Sequence, residues 1–81
     1  MAALRVYTKE SCPGCLQIKR MLNYLQLAYE ERRVDEQSAD RERILALGFR
    51  SLPVVEVEGV GAVPGADPAQ VEDLLVRAGL V

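Results

Sequence analysis

Apolar side chains recur at changing intervals along this chain. Leu4, Val6 and Thr8 alternate with Arg5, Tyr7 and Lys9, the period of a short strand with one face turned inward. From Cys15 the interval lengthens. Cys15, Ile18, Leu22 and Leu25 are spaced by three and four positions, which predicts one face of a helix entered at Pro13. Proline suits the first helical position because an N–H there has no partner within the helix. Tyr29 to Asp35 holds Glu30, Glu31, Arg32 and Arg33 in succession. That is too charged for a central strand and predicts an edge, where charge discourages pairing with other chains.

A second helix is predicted from Ser38 to Leu47, with Ser38 as its N-cap, Gly48 as its stop, and Ile44 and Leu47, helped by Leu45, as its inner face. Val54–Val57 and Val60–Val63 bracket Glu58-Gly59, a two-residue connection of the hairpin kind. Asp67 is placed to cap a last helix begun by Pro68. Gln70 is positioned for the reciprocal contact, and Val71, Leu74, Leu75 and Ala78 share one face. The predicted order is β-α-β-α-β-β-α, an α/β unit spanning 1–81 that no repeat, linker or low-complexity segment interrupts.

Composition narrows the setting. A chain of 81 residues at 49% hydrophobic content has room for one domain with a modest core. Ten basic residues against twelve acidic ones give a net charge of −2, and no basic run is interleaved with aromatics. This argues against nucleic acid as a partner. The opening Met1-Ala2-Ala3-Leu4-Arg5 lacks the apolar core of a signal peptide, and no apolar stretch approaches the ~20 residues needed to span a bilayer. The expectation is a cytoplasmic, monomeric protein without membrane partners. Charge is nevertheless uneven: residues 1–50 carry nine basic and seven acidic side chains, and residues 51–81 carry one basic and five acidic. Lys9, Lys19, Arg20 and Arg50 then fall on the cysteine side. Lys19 and Arg20 read as solvated charges, and Lys9 and Arg50 as candidates for receiving an anionic group.

The chemistry concentrates in the only two cysteines, which stand three apart in Ser11-Cys12-Pro13-Gly14-Cys15 at the junction of strand and helix. A C-x-x-C pair closes too small a loop to brace a fold, but each thiol is held where it can attack a disulfide formed by the other. The pair suits redox exchange. Without any histidine, two thiolates cannot fill a tetrahedral zinc site within one chain, and no imidazole base is present for a cysteine protease.

A strand running into C-x-x-C at a helix start, followed by this order of elements, resembles the thioredoxin fold in its small, glutaredoxin-like form, with a four-stranded mixed sheet. The resemblance covers essentially the whole chain. Gly48-Phe49-Arg50-Ser51-Leu52-Pro53-Val54-Val55 is similar to the loop and strand of the NrdH-redoxin branch, which implies a cis Leu52–Pro53 bond facing the cysteines. Two departures bear on the electron source. Gly14 stands where dithiol glutaredoxins of the C-P-Y-C type have tyrosine. Pro64-Gly65-Ala66-Asp67-Pro68 keeps only Gly65 and Asp67 of the glutaredoxin G-G-x-D-D turn, and only Gly65 and Pro68 of the NrdH-redoxin W-S-G-F-R-P pattern.

The resemblance implies a dithiol–disulfide oxidoreductase. Cys12, at the helix N-terminus where unpaired N–H groups favour a thiolate, is the expected nucleophile. Cys15, on the apolar stripe, is the expected resolving thiol. Lys9, Arg50 and the Leu52 backbone beside Pro53, together with Pro13, Gly14, Gly65 and Asp67, are the residues expected to contact substrate or glutathione. Asp67 reads equally well as an N-cap alone. Expected partners are protein disulfides, ribonucleotide reductase among them, with thioredoxin reductase or glutathione as electron donor. No bound cofactor is needed for the exchange. The other reading the resemblance offers is a carrier of a [2Fe–2S] cluster, shared with glutathione at a dimer interface.

Overall fold

A computed structural model describes residues 4–81; Met1-Ala2-Ala3, and the reading made of them, lie outside it. Its elements follow the predicted order: β1 Leu4–Thr8, α1 Pro13–Tyr24, β2 Glu30–Arg33, α2 Ser38–Ala46, β3 Val54–Val57, β4 Gly61–Pro64 and α3 Pro68–Arg77. The four strands form one mixed sheet in the order β2-β1-β3-β4. β2 runs parallel to β1, while β3 is antiparallel to β1 and β4 to β3. This is the thioredoxin-type arrangement, with the charged β2 at an edge as its sequence requires.

Helices cover both faces. Leu4 and Val6 of β1, Val55 and Val57 of β3 and Val63 of β4 meet Ile18 and Leu22 of α1 and Val71, Leu74 and Leu75 of α3 in one aliphatic cluster. On the opposite face Tyr7, Ile44 and Val54 form a smaller cluster, with Phe49 and Leu52 packed against it. Tyr7, which alternation assigns to the outward side of β1, is therefore buried, at 2% exposure. The alternation itself holds. What it does not reveal is that a helix lies over the second face.

Three local expectations shift. The β3–β4 connection is Glu58-Gly59-Val60, one residue longer than predicted, with Gly59 at φ 79°. A one-residue change of register exchanges the two faces of a strand, and the longer loop pairs Val63 with Val55 so that both join the aliphatic cluster. At the start of α2 the N-cap is Gln37, without a side-chain capping bond, and Ser38 is the first helical residue. The inner face of α2 is carried by Ile44, at 5% exposure, while Leu45 is 52% exposed and Leu47 half-buried. Buried Asp40 takes the position one turn earlier, accepting from Arg32 Nε at 3.0 Å.

Candidate active site

The redox pair sits where β1 hands the chain to α1. Ser11 adopts a left-handed conformation, φ 56°, and turns the backbone so that Cys12 becomes the N-cap of α1. There the Cys12 Sγ accepts the Cys15 backbone N–H at 3.2 Å. The first turn carries no acidic side chain, so no carboxylate of that turn opposes negative charge on the sulfur. Cys12 and Cys15 are joined as a disulfide, their Cα atoms 5.2 Å apart, within the span a disulfide bridges. The two sulfurs differ in access: Cys12 is half-buried, and Cys15, on the inner face with Ile18 and Leu22, is 2% exposed. The helical spacing that builds the core thus also hides one sulfur and leaves the other at the rim.

Two loops close on this helix start. The Leu52–Pro53 bond is cis, and Pro53 is buried. A Cβ at Gly14 would lie 3.2 Å from Pro53 Cδ, and one at Gly65 only 2.9 Å from Pro53 Cγ. Gly65 N–H also donates to the Pro53 carbonyl at 2.9 Å. Gly14, Pro53 and Gly65 therefore form one stack beside the cysteines. Gly65 is required there because any larger residue would displace the ring. Pro13 is exposed at the first helical position.

Asp67 lies farther along the same turn and is engaged by its own helix. Its Oδ1 accepts Ala69 N–H at 3.1 Å and Gln70 N–H at 3.3 Å, and its Oδ2 accepts Gln70 Nε2 at 2.8 Å. The Gln70 side chain first, and the backbone donors after it, hold this carboxyl below its usual range. Lys9, Arg50 and Leu52 converge elsewhere, on a surface groove of about 430 Å³ that runs from the Pro53 loop toward α2 and also takes in Arg41. The Phe49–Arg50 side of the groove is fixed by the end of α2. Gly48, at φ 92°, lets its own N–H reach Leu45 O at 3.0 Å and Phe49 N–H reach Ile44 O at 2.9 Å, the paired bonds of a Schellman motif. Lys19 leaves the groove to others and pairs with Glu31 at 3.2 Å.

One feature behind the site was not read from the sequence. Glu56 is 4% exposed and lies beneath the sheet between Tyr7, whose hydroxyl donates to it at 2.6 Å, and Arg43, which donates at 2.7 Å. Arg5 adds a third contact at 3.9 Å. Burial acts to raise the Glu56 carboxyl, but the hydrogen bonds from Arg43 and Tyr7 outweigh it and hold it low. Burial first, and the bond to Glu56 second, push Tyr7 up to about 12. A glutamate interrupting the valines of Val54-Val55-Glu56-Val57 is the signal in the sequence. Its partners on β1 and α2 are fixed only by the fold.

A glutaredoxin family model matches residues 4–61. The glutaredoxin-like protein NrdH of Lactococcus lactis strain IL1403 is 32% identical over 69 residues, covering 85% of this chain and 94% of that protein. Glutaredoxin 3 of Escherichia coli K12 is 36% identical over 51 residues, 63% of this chain and 61% of the relative. Among solved structures, the glutaredoxin-like protein NrdH-redoxin of Escherichia coli superposes with a TM-score of 0.79 at 30% identity, over 89% of this chain and 93% of the other.

Proposed function

This chain belongs to the glutaredoxin family, in its NrdH-like branch, and is a thiol–disulfide oxidoreductase; from that premise we propose that it reduces protein disulfides, with Cys12 attacking and Cys15 resolving. The observation that carries this reading is the unequal access of the two sulfurs at one helix start. The Cys12 thiolate attacks a substrate disulfide, forming a Cys12–substrate bond and expelling one substrate sulfur as a thiolate. The Cys15 thiolate then attacks Cys12 Sγ, the mixed disulfide breaks, and the second substrate sulfur leaves. The substrate gains two electrons and takes two protons from solvent, and Cys12–Cys15 is left oxidised. A donor returns two electrons and two protons. No bound prosthetic group takes part, and the reaction needs only a monomer.

Thioredoxin reductase is the donor in this reading, and ribonucleotide reductase is one acceptor, in keeping with the likeness to NrdH proteins. The thioredoxin-like activity profile of the Escherichia coli NrdH-redoxin supports that choice. So does Asp67, which already accepts three hydrogen bonds from Ala69 and Gln70 and so keeps only about one of its roughly four acceptor positions for a glutathione amine. Among the described residues no helix is long and apolar enough to cross a membrane.

NADPH oxidation with insulin disulfides as acceptor tests the proposal. Sustained consumption is expected with thioredoxin reductase, and only background with glutathione and glutathione reductase. The reverse result assigns the donor to glutathione. Silence with both donors removes the proposed reaction.

A further inference from the structure

Of the ten lysine and arginine side chains in this chain, six have a carboxylate partner: Arg5, Lys19, Arg32, Arg33, Arg43 and Arg77. Lys9, Arg20, Arg41 and Arg50 have none among the described residues. Three of these four line the groove beside the redox loop. Such clustering contrasts with the rest of the surface, where Arg20 is the one cation of seven without an acidic partner among the described residues. The one carboxylate in the groove wall, Asp35, does not neutralise them. Arg33 donates to it at 2.9 and 2.7 Å, and the Glu10 N–H donates at 3.1 Å.

The floor between the cations is apolar. Val34 comes from the end of β2, Ile44 and Leu45 from α2, and Phe49 and Leu52 from the loop before Pro53. Leu45, at 52% exposure, offers surface that nothing in the fold covers. At one end the groove reaches Leu52, next to the Pro53 ring that packs against Gly14 between the cysteines. A chain whose disulfide lies at Cys12 can therefore continue into it.

We propose that this groove binds an acidic and apolar segment flanking the target disulfide of the protein substrate, its carboxylates meeting Lys9, Arg41 and Arg50 and an aliphatic side chain lying on Ile44 and Leu45. The assignment rests on the exchange reaction proposed above and adds its substrate class. Three unpaired cations around an apolar floor give an anionic chain both attraction and area, while a basic flank meets uncompensated like charge. Arg41 sets the far end of the groove and is a positioning residue for substrate, without contact to the reacting sulfurs.

The test uses two peptides, each with one cysteine in mixed disulfide with thiopyridine, flanked on both sides by Asp and Leu in one and by Lys and Leu in the other. Pre-reduced protein transfers two electrons to either, ending as the Cys12–Cys15 disulfide, peptide thiol and thiopyridone, whose absorbance reports the rate. The acidic peptide is expected to react with a second-order rate constant about tenfold above that of the basic one at low salt, the ratio shrinking as salt screens the contacts. Arg41→Glu is expected to abolish or invert the ratio, and Arg20→Glu, the unpaired cation outside the groove, to preserve it. Equal rates for the two peptides, or an equal response to the two substitutions, overturns the groove assignment while the exchange reaction stands. Failure to reduce either peptide strikes the exchange reaction itself, and the groove with it.

Discussion

Against one face of the sheet α1 and α3 lay an aliphatic layer in which Leu22, Val71, Leu74 and Leu75 are each 0% exposed; against the other, α2 contributes Ile44 to a cluster of three and leaves the remaining buried positions to Glu56 and Asp40. Both faces exclude water, but by different means. The aliphatic face gains from area removed from water and tolerates no polar atom without a partner. The α2 face is held by directed contacts: Tyr7 and Arg43 to Glu56, and Arg32 to Asp40, whose second oxygen, Oδ2, has no partner among the described residues. Each side matches its task. α1 must hold Cys15 still and out of solvent, and the short α2 leaves apolar floor and free cations open beside the redox loop.

The largest effects are expected on the α1 side, where both sulfurs belong. Cys12→Ser should lose all turnover and form no adduct with a substrate. Cys15→Ser should still form a mixed disulfide through Cys12 but fail to release it, so protein-disulfide turnover falls to background. Trapping with a target protein and non-reducing electrophoresis separates the two. Full turnover without Cys15 would contradict the dithiol sequence.

Stability should divide along the same line. Leu22→Ala opens a cavity in the continuous aliphatic layer and should cost about 3–5 kcal/mol, whereas Ile44→Ala, in a small cluster beside an open groove, should cost about 2 kcal/mol. Urea midpoints at constant m-value measure both. Equal losses would mean that α2 is as firmly packed as α1 and would dissolve the contrast.

Gly65→Ala probes the seam where the redox loops meet. Its Cβ would fall 2.9 Å from Pro53 Cγ and 3.2 Å from Val55 Cγ2, against ring and strand atoms that cannot swing aside. A cost of about 1–3 kcal/mol is expected from the overpacking, together with a higher KM for protein disulfides because Pro53 shifts relative to Cys12. Iodoacetamide labelling of Cys12 should be unaffected, since the alkylating agent needs no loop. An unchanged KM would detach the Pro53 stack from substrate binding.

How far the sequence foretold the molecule also follows the two faces. Helical spacing of Cys15, Ile18 and Leu22, and of Val71, Leu74 and Leu75, was enough to place α1 and α3 on the core, because area burial reads directly as apolar periodicity. The Asp67 cap and the element order were legible for similar local reasons. The α2 face was legible only at Ile44. Its contacts join residues far apart in sequence, 49 positions in the case of Tyr7 and Glu56, and a buried tyrosine or glutamate looks like a surface residue until its partner is known. Within the site, the spacing of the cysteines and the Pro53 loop were visible. Arg41 was not, because its place in the groove depends on how the fold brings the first turn of α2 alongside Lys9 and the loop before Pro53.

The smallest effect is expected in the polar network, and pH sharpens it. Tyr7→Phe removes the 2.6 Å bond to Glu56 but leaves Arg43 in place, so a loss of about 1.5–2 kcal/mol is expected at neutral pH, the low end of the range for a hydrogen bond to a charged group. In the folded protein Tyr7 is raised from 10.0 to about 12, by burial first and the Glu56 carboxylate second. Its folded value lies above its unfolded one, so between these limits the native state holds a proton that the unfolded chain has released. The Tyr7 contribution is therefore complete below pH 10 and fades as pH rises toward about 12. Phenylalanine carries no such proton. Unfolding free energies of the two proteins should converge through that alkaline window, the variant losing less with each pH step. Parallel curves up to pH 12 would show that Tyr7 titrates as it does in the unfolded chain, and that neither burial nor the bond to Glu56 holds its proton in the native state.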